Sequence, residues 1–522
     1  MGEAGTGAKM TVRLCAAFLL AVSSLATAAP AIPPAAASAG TRAEDARFAA
    51  DFEAFLTASL RRLPTIPALS VAVVRSGGPI LVRAYGEADR ERHVRATIHT
   101  PFYIASSTKS FVALAFARLA ARGVINLDWT LAQLAPDIHF PPEVRANEVT
   151  LRHLLSHSHG LAEPGIAFRL AYSGEYDRAT LWRLLARVKP NPQAPLGSFA
   201  YSNLGYNIAA LLIERRLGRR WQDILESEVL RPLGLDETYD QGLARLRTPL
   251  PAPYFSLAPG GPERLPLVKT DAILQSAGGL YASARDMARW VTLQLAAERG
   301  RTGLPIPAAT VAGTHVPIAH MEQSFGGFAR TGYGLGWYSG LYRGEMLYHS
   351  FGSYVGARAH TSFLLARDLG VAITTNDEGA GYLFVDIAAA YAYDWYQLGP
   401  EAAARNAETA TARLVQQAAH QIEAGAAERA RRAARPWRLS LPFAAYRGRY
   451  CSEELGTMEV GGSGQALDVR MGLLHAAAQA FTDPDSARIE LIPMSGQVLR
   501  FRLENGRVTG LETDGQAFTR CG

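Results

Sequence analysis

Tyr103-Ile104-Ala105-Ser106-Ser107-Thr108-Lys109, running into Ser110-Phe111-Val112-Ala113-Leu114-Ala115, places a serine three residues ahead of a lysine at the mouth of an apolar helix. Phe111, Val112, Leu114, Ala115 and Leu119 keep helical spacing until Gly123 stops them. Positions i and i+3 share a helix face, so Ser106 Oγ and Lys109 Nζ can come within hydrogen-bond reach. The chain has four lysines, Lys9, Lys109, Lys189 and Lys269, among 53 Lys plus Arg, and neither Lys189 nor Lys269 follows a serine at that spacing. A lysine kept where the chain otherwise uses arginine points to chemistry arginine cannot do, the loss of a proton. Partly desolvated at a helix start, Lys109 could accept the serine proton, while free backbone N–H groups there help to hold an oxyanion. Ser-x-x-Lys is common by chance, so its weight comes from its surroundings.

Working outward, Leu69-Ser-Val-Ala-Val-Val74 and Ile80-Leu-Val-Arg-Ala-Tyr85 flank the turn Ser76-Gly77-Gly78 and read as a β-hairpin. A helical pattern through Phe52, Phe55 and Leu60 precedes it. Helices and loops fill Asp128 to about Leu295, and strand-like runs return at Met346–Tyr348, Ala359–Leu365 and Gly370–Thr375. The expected fold is therefore α+β, an antiparallel sheet built from N- and C-terminal strands with helical covering. Short alternating runs after Phe443, such as Leu467–Met471 and Val498–Leu503, predict a small all-β, barrel-like domain. The expected division is a signal peptide at 1–28, a Pro/Ala-rich linker at 29–41, a catalytic domain at 42–400, a helical connector at 401–437 and the all-β domain at 438–522.

Lys9 and Arg13 precede the apolar run Leu14–Leu25 and the small-x-small site Ala26-Thr27-Ala28, the pattern of a secretory signal. The run is shorter than the ~20 residues a membrane span needs, and no later segment reads as one. The expectation is an exported chain, periplasmic or secreted, with no integral membrane span after cleavage. Cys15 would leave with the leader, so Cys451 and Cys521 remain in an oxidising compartment and are expected to pair. The net charge of +6 is spread as arginine, densest at Arg429, Arg431, Arg432 and Arg435. No basic patch with interleaved aromatics is seen, which argues against nucleic-acid binding.

A second element is Tyr201-Ser202-Asn203, immediately before the helical run Ile208–Leu217. A tyrosine beside an ammonium can relay a proton to a leaving group, and Asn203 offers an amide to orient substrate. Further along are Leu154-Leu-Ser-His-Ser-His-Gly-Leu161, Pro232-Leu-Gly-Leu235, Ala277-Gly-Gly-Leu-Tyr-Ala-Ser-Ala-Arg-Asp286 and Tyr333-Gly-Leu-Gly-Trp337. In this order and at these separations, from about Phe48 to Asn376, the motifs resemble the class C β-lactamase-related serine hydrolases.

That resemblance implies a penicillin-binding-protein fold and an acyl-serine mechanism. Ser106 would attack a carbonyl, Lys109 and Tyr201 would share the acid and base work, and Asn203 would bind a substrate amide. No cofactor is implied, and the partner would be a small-molecule or peptide acyl substrate. The C-terminal segment is similar to the lipocalin-like domains appended to many such hydrolases. The third motif departs from the family pattern of Lys or His, any residue, then Gly, with a second glycine four further on. Matching Gly352 and Gly356 to the glycines puts Ser350 in the basic position and displaces His349 by one residue. Either Ser350 faces the site, or a bulge returns His349 to it. Backbone N–H of Ser353 would complete the oxyanion hole in the unbulged alignment. Loss of the lysine that contacts substrate carboxylates shifts the expectation from β-lactams toward an uncharged ester or amide.

His153, His157 and His159 have a spacing that zinc could use, but no further ligand is evident and no metal is expected. The reading is an exported serine hydrolase, esterase-like. Its alternatives are a β-lactamase or D-alanyl carboxypeptidase or aminopeptidase using Arg358 or His349 as the cation, and a non-catalytic penicillin-recognising binding protein.

Overall fold

The apolar run at Leu69–Val74 is paired on both sides, and its two partners come from opposite ends of the sequence. The computed structural model describes residues 39–243, 246 and 248–521, so the predicted signal peptide and all but the last three residues of the predicted linker lie outside the described residues. In chain order, the strands of the main sheet are β1 (Ala68–Arg75), β2 (Gly78–Asp89), β3 (Val94–Arg95), β4 (Ala319–Phe325), β5 (Phe328–Tyr333), β6 (Tyr338–Tyr342), β7 (Glu345–Tyr354), β8 (Ala357–Leu364) and β9 (Leu369–Thr375). They lie in the order β4-β5-β6-β7-β8-β9-β1-β2-β3, all neighbours antiparallel. The α+β sheet assembled from both ends of the chain is thus present, with Leu69 opposite both Tyr85 and Thr375.

Helices cover both faces of this sheet. The principal ones are α1 (Ala39–Arg62), α2 (Thr108–Ala121), α3 (Asn203–Leu217), α4 (Ala284–Glu298), α5 (Ala380–Leu398) and α6 (Pro400–Ala433). One apolar core joins α2, α3 and α4 to the sheet and contains the stacked rings of Phe111 and Trp290, 3.7 Å between centroids. The other lies under α1, α5 and α6, which explains why β8 and β9 are buried along their whole length. Helix α1 starts at Ala39, slightly ahead of the expected start near Arg42. The alanine-rich α6 buries Ala403, Ala407, Thr411, Leu414 and Ala418, a stripe at helical spacing, so it packs as part of this layer. Its arginine cluster is ion-paired: Arg431, Arg432 and Arg435 converge on Glu428, and Arg429 reaches Glu263.

The C-terminal strands form a second nine-stranded antiparallel sheet whose two ends, Leu474–Ala477 and Gln479–Ala480, are consecutive in the chain. The sheet is therefore a nearly closed barrel around Tyr446, Tyr450, Val469, Leu499, Leu511 and Phe518. Cys451 and Cys521 are bonded, with Cα atoms 5.9 Å apart, closing a loop 70 residues long. A loop of that length gives roughly 4 kcal/mol in the chain-entropy model. Cys451→Ser with Cys521→Ser is expected to destabilise the barrel by about 2–4 kcal/mol in denaturant melts, and an unchanged midpoint would contradict it. The barrel docks on the segment after the Leu154–Leu161 motif: Arg169 Nε donates to Glu454 O at 2.8 Å and Leu473 N donates to Ser173 O at 2.9 Å.

Candidate active site

Ser106 lies in a tight 3₁₀ turn, Ala105–Ser107, that feeds α2, and is not yet on the α-helix itself. In such a turn residues i and i+3 nearly eclipse, which brings the serine directly over Lys109. Ala105 takes φ 43°, a left-handed conformation rare for a residue with a Cβ, so backbone strain is held next to the candidate nucleophile. Neighbouring motifs hold the turn in place. Ile104 N donates to Leu280 O at 3.0 Å, Leu280 N donates to Thr108 Oγ1 at 3.0 Å, and Tyr103 Oη donates to Gly278 O at 2.6 Å. Gly336 of the Tyr333–Trp337 motif lets that loop touch the α2 backbone, because a Cβ there would lie 2.4 Å from Ser110 Cα.

Lys109 is 1% exposed, and its Nζ has four neighbours. These are Ser106 Oγ at 3.1 Å, Tyr201 Oη at 2.8 Å, Asn203 Oδ1 at 2.7 Å and Ala277 O at 2.6 Å. The two carbonyl oxygens can only accept, so they take two N–H groups. The remaining tetrahedral position of the nitrogen faces Ser106 and Tyr201, whose hydroxyls can donate as well as accept. Burial holds the amine well below the ordinary lysine pKa, which favours a neutral nitrogen with its lone pair at that position.

Tyr201 is 44% exposed, while its hydroxyl points inward and donates to Ser106 Oγ at 2.6 Å. Burial around that hydroxyl, with Tyr338 adding to it, raises the phenol pKa above its ordinary value; the Ser106 hydrogen bond and the Arg330 charge oppose the rise. A phenolate is thus not the resting form. Tyr201 is held just outside α3, whose N-cap Ser202 accepts from Leu204 N at 3.1 Å, while Asn203 begins the helix. The Leu154–Leu161 motif supports this corner: Tyr206 Oη donates to Leu155 O at 2.8 Å, and Ser202 N donates to His157 Nδ1 at 3.3 Å. The three histidines serve backbone amides, since His153 Nδ1 accepts from Thr150 N at 3.2 Å and His159 Nδ1 accepts from Leu161 N at 3.0 Å.

The third motif lies on β7. A Cβ on Gly352 would fall 1.9 Å from Ile104 O and 2.8 Å from Ser106 N, so this strand presses against the turn that carries Ser106. Ser353 follows it, exposed. The register between β7 and β8 runs unshifted from Leu347 to Tyr354, so no bulge turns His349 toward the site. Ser350 shares the face of Gly352. His349, one of the two candidates for the basic position, is corrected here: it is 0% exposed, points to the other face among Phe328, Tyr338 and Phe351, and has neither ring nitrogen hydrogen-bonded. Burial first, then the charges of Arg330, His360 and Arg358, push its pKa well below the usual value, so it is neutral. Arg358, the other cation considered, is 1% exposed and paired with Asp386 at 3.1 Å. Gly352→Ala is expected to lower turnover by about 100-fold or more, because the turn carrying Ser106 must shift by an ångström or more. Wild-type turnover in that variant would show the contact to be unimportant.

Sequence reasoning missed two participants. Ala277 O is a backbone acceptor without a side-chain signature, although it lies in a motif already singled out. Arg330, on β5, carries a charge that acts on Tyr201 and stacks on Tyr338 and Phe351 at 4.1 Å from each ring centroid. Its position in sequence reads as an ordinary strand arginine.

A helix-covered antiparallel sheet with Ser-x-x-Lys at the mouth of the helix beneath it and a tyrosine and asparagine at a second helix mouth defines the β-lactamase and penicillin-binding-protein class of fold. The chain belongs to the Beta-lactamase family of serine hydrolases, whose model matches residues 56–393. It is 26% identical over 360 residues to the Unguisins hydrolase ungD' of Aspergillus campestris, covering 63% of this chain and 64% of that protein. It is 29% identical over 229 residues to the D-alanyl-D-alanine-carboxypeptidase/endopeptidase AmpH of Escherichia coli, covering 43% of this chain and 57% of AmpH. These matches span less than two thirds of either relative. Among solved structures, the octameric penicillin-binding protein homologue from Pyrococcus abyssi matches in fold with TM-score 0.56 at 19% identity, covering 90% of this chain and 98% of that one.

Proposed function

We propose that the chain is an exported serine hydrolase that cleaves a carboxylic ester or amide through an acyl-serine at Ser106, with esters the better substrates. The observation that carries this reading is the buried Lys109 amine, held by two carbonyl acceptors with its third position toward the Ser106 and Tyr201 hydroxyls. Ser106 Oγ attacks the carbonyl carbon as its proton passes to the neutral Lys109 nitrogen. The tetrahedral oxyanion is held by the backbone N–H groups of Ser106 and Ser353. As the C–O or C–N bond breaks, Tyr201 gives its proton to the leaving group and is refilled from the Lys109 ammonium. Water then attacks the acyl-serine, loses its proton along the same Tyr201–Lys109 route, and Ser106 regains its proton as the acid departs. Asn203 holds Lys109 through Oδ1, which leaves its amide nitrogen to meet a substrate carbonyl.

A panel of acyl esters, D-peptides and a chromogenic cephalosporin, run against wild type and Ser106→Ala, tests the reading. Ester turnover lost in the variant is expected, and cephalosporin turnover exceeding ester turnover would reverse the preference. Absence of a covalent adduct at Ser106 after a fluorophosphonate probe would leave only the binding-protein reading. For export, the protein recovered from periplasm or medium is expected to begin near Ala29.

A further inference from the structure

A cavity of about 750 Å³ opens where three parts of the chain meet: the end of α6, the loop that follows Tyr254, and the outside of the barrel. None of the residues placed in the acyl-serine mechanism lines it. Its size is that of a small-molecule site, and such sites favour junctions of this kind. The barrel contributes Arg488 and Glu490, which alternate with the inward-facing Ala487, Ile489 and Leu491 and so point away from the barrel core.

The polar lining carries more positive than negative charge. Arg429, Arg432, Arg435 and Arg488 meet Glu263, Glu428 and Glu490, and Arg431, outside the cavity, also takes Glu428. Five guanidinium groups thus share three carboxylates, and arginine does not relieve the excess by losing a proton. Glu428 alone holds Arg431 and Arg432 at 2.7 Å and Arg435 at 3.4 Å; hydrogen bonds from Arg432 and then Arg431 push its pKa down to about 2. The C-terminal end of α6 accounts for Arg431 and Arg432, because cations are favoured at that end of the helix dipole. It does not account for Arg488, which the barrel strand Ser486–Arg488 brings to the same place. The Arg488 side chain is 14% exposed and pairs with Glu490 through Nη2, while Nη1 donates to Gly496 O at 3.4 Å. Its Nε is buried without a partner among the described residues. Gly496 makes room for this guanidinium, since a Cβ there would lie 2.8 Å from Nη1.

The rest of the wall is apolar: Phe255, Leu265 and Pro266 from the loop, Trp437 just after α6, and Pro493 and Met494 from the barrel. Trp437 is held edge-on against Phe443 at 5.2 Å, whereas Met494 is 49% exposed and free to adapt. Solvent alone would satisfy the cations and leave these walls wet; an anion with an apolar body satisfies both. We propose that this junction is a second ligand site, taking a small amphipathic anion: an apolar body against Trp437 and Met494, and a carboxylate, sulfonate or phosphate group against Arg488 and Arg435. Because its walls come from three separate parts of the chain, the bound anion also ties the barrel to α6 and to the loop after Tyr254. The site stands independently of the acyl-serine reading.

The test titrates the full chain with anilinonaphthalene sulfonate, whose fluorescence rises in apolar surroundings, and with N-phenylnaphthylamine, the same rings without the charge. Wild type is expected to bind the sulfonate at least about tenfold more tightly than the neutral amine. Arg488→Met is expected to weaken the sulfonate by about tenfold or more and the amine by less than about twofold, with part of the loss recovered in Arg488→Lys. Arg435→Gln removes a cation whose carboxylate keeps two other partners, so it spares the fold, and is expected to weaken the sulfonate by about threefold to tenfold. Wild type whose Ser106 carries the fluorophosphonate is expected to bind the sulfonate as before. Loss of binding on that modification would put the probe in the active site and overturn the proposal. Equal affinity for the two probes overturns it too, as does sulfonate affinity unchanged within about twofold in both arginine variants. A parallel loss of both probes with a lower melting temperature in both variants would make the arginines structural, which also overturns it. The variants decide between these outcomes whether or not Ser106 is reactive.

Discussion

Ser106→Ala is expected to remove hydrolytic activity by at least about 10⁴-fold while leaving the melting temperature nearly unchanged. The loss is large because attack, proton transfer and oxyanion binding act as a unit centred on one oxygen, and no other hydroxyl takes its place. Tyr201 Oη, the nearest, is a phenol whose pKa is pushed up. The fold survives because Ser106 is only partly buried, and its removal leaves Lys109 with Asn203 Oδ1, Ala277 O and Tyr201 Oη as partners. Turnover of a phenyl ester, intact-mass analysis after the fluorophosphonate, and a thermal melt form one experiment. Residual activity above a hundredth of wild type in a folded variant would remove Ser106 from the mechanism.

Lys109→Arg is expected to be almost as damaging, about 10³-fold or more. The charge is conserved, so a purely electrostatic role for the lysine would be largely preserved. What changes is that arginine cannot become neutral, and its flat fork does not fit a nitrogen site that holds two carbonyls and two hydroxyls. The same chemistry fixes the sign of the pH profile. With Lys109 as the base proposed above, turnover needs the unprotonated amine, so kcat/KM is expected to rise with pH through the Lys109 pKa and to fall as the amine is protonated in acid. Because burial depresses that pKa, the rise comes well below the 10.5 of a free lysine. An acid limb that persists unchanged in Lys109→Arg would assign it to another group.

Much of this centre was legible before the structure, for a physical reason. Ser106 and Lys109 are tied by local helix geometry, and Tyr201 and Asn203 by a helix start, so spacing along the chain carries the information. The main sheet was legible because its central strands are continuous apolar runs. What distant strands bring together was not. Whether His349 or Ser350 faces the site depends on register across β7 and β8, and because two residues, Ser350 and Phe351, separate His349 from Gly352 where the pattern has one, the sequence alone is ambiguous. Arg330 was invisible for a related reason: Phe325, Tyr338 and Phe351 come from three other strands, and nothing in Phe328-Ala-Arg-Thr-Gly-Tyr333 announces that they will enclose it. Helix α6 was read by composition as a helical connector; that its alanines at helical spacing also let it pack against α1 and α5 is what composition alone hides.

The pairing of β1 with β9 also orders events in time. Leu69 meets Thr375, some three hundred residues further along, and the sheet on which Ser106 rests is closed only when β9 has been made. Contacts so far apart in sequence form late, because the intervening loop must be closed before they repay its entropy. A chain halted before Leu369 would hold Ser106, Lys109, Tyr201 and Asn203 but not β9, the strand that joins β8 to β1. Its serine is expected to remain unreactive toward the fluorophosphonate. Ser106 is thus among the first residues of the site to be made and among the last to be seated, and a truncated or unfinished molecule is expected to be inert toward acyl substrates.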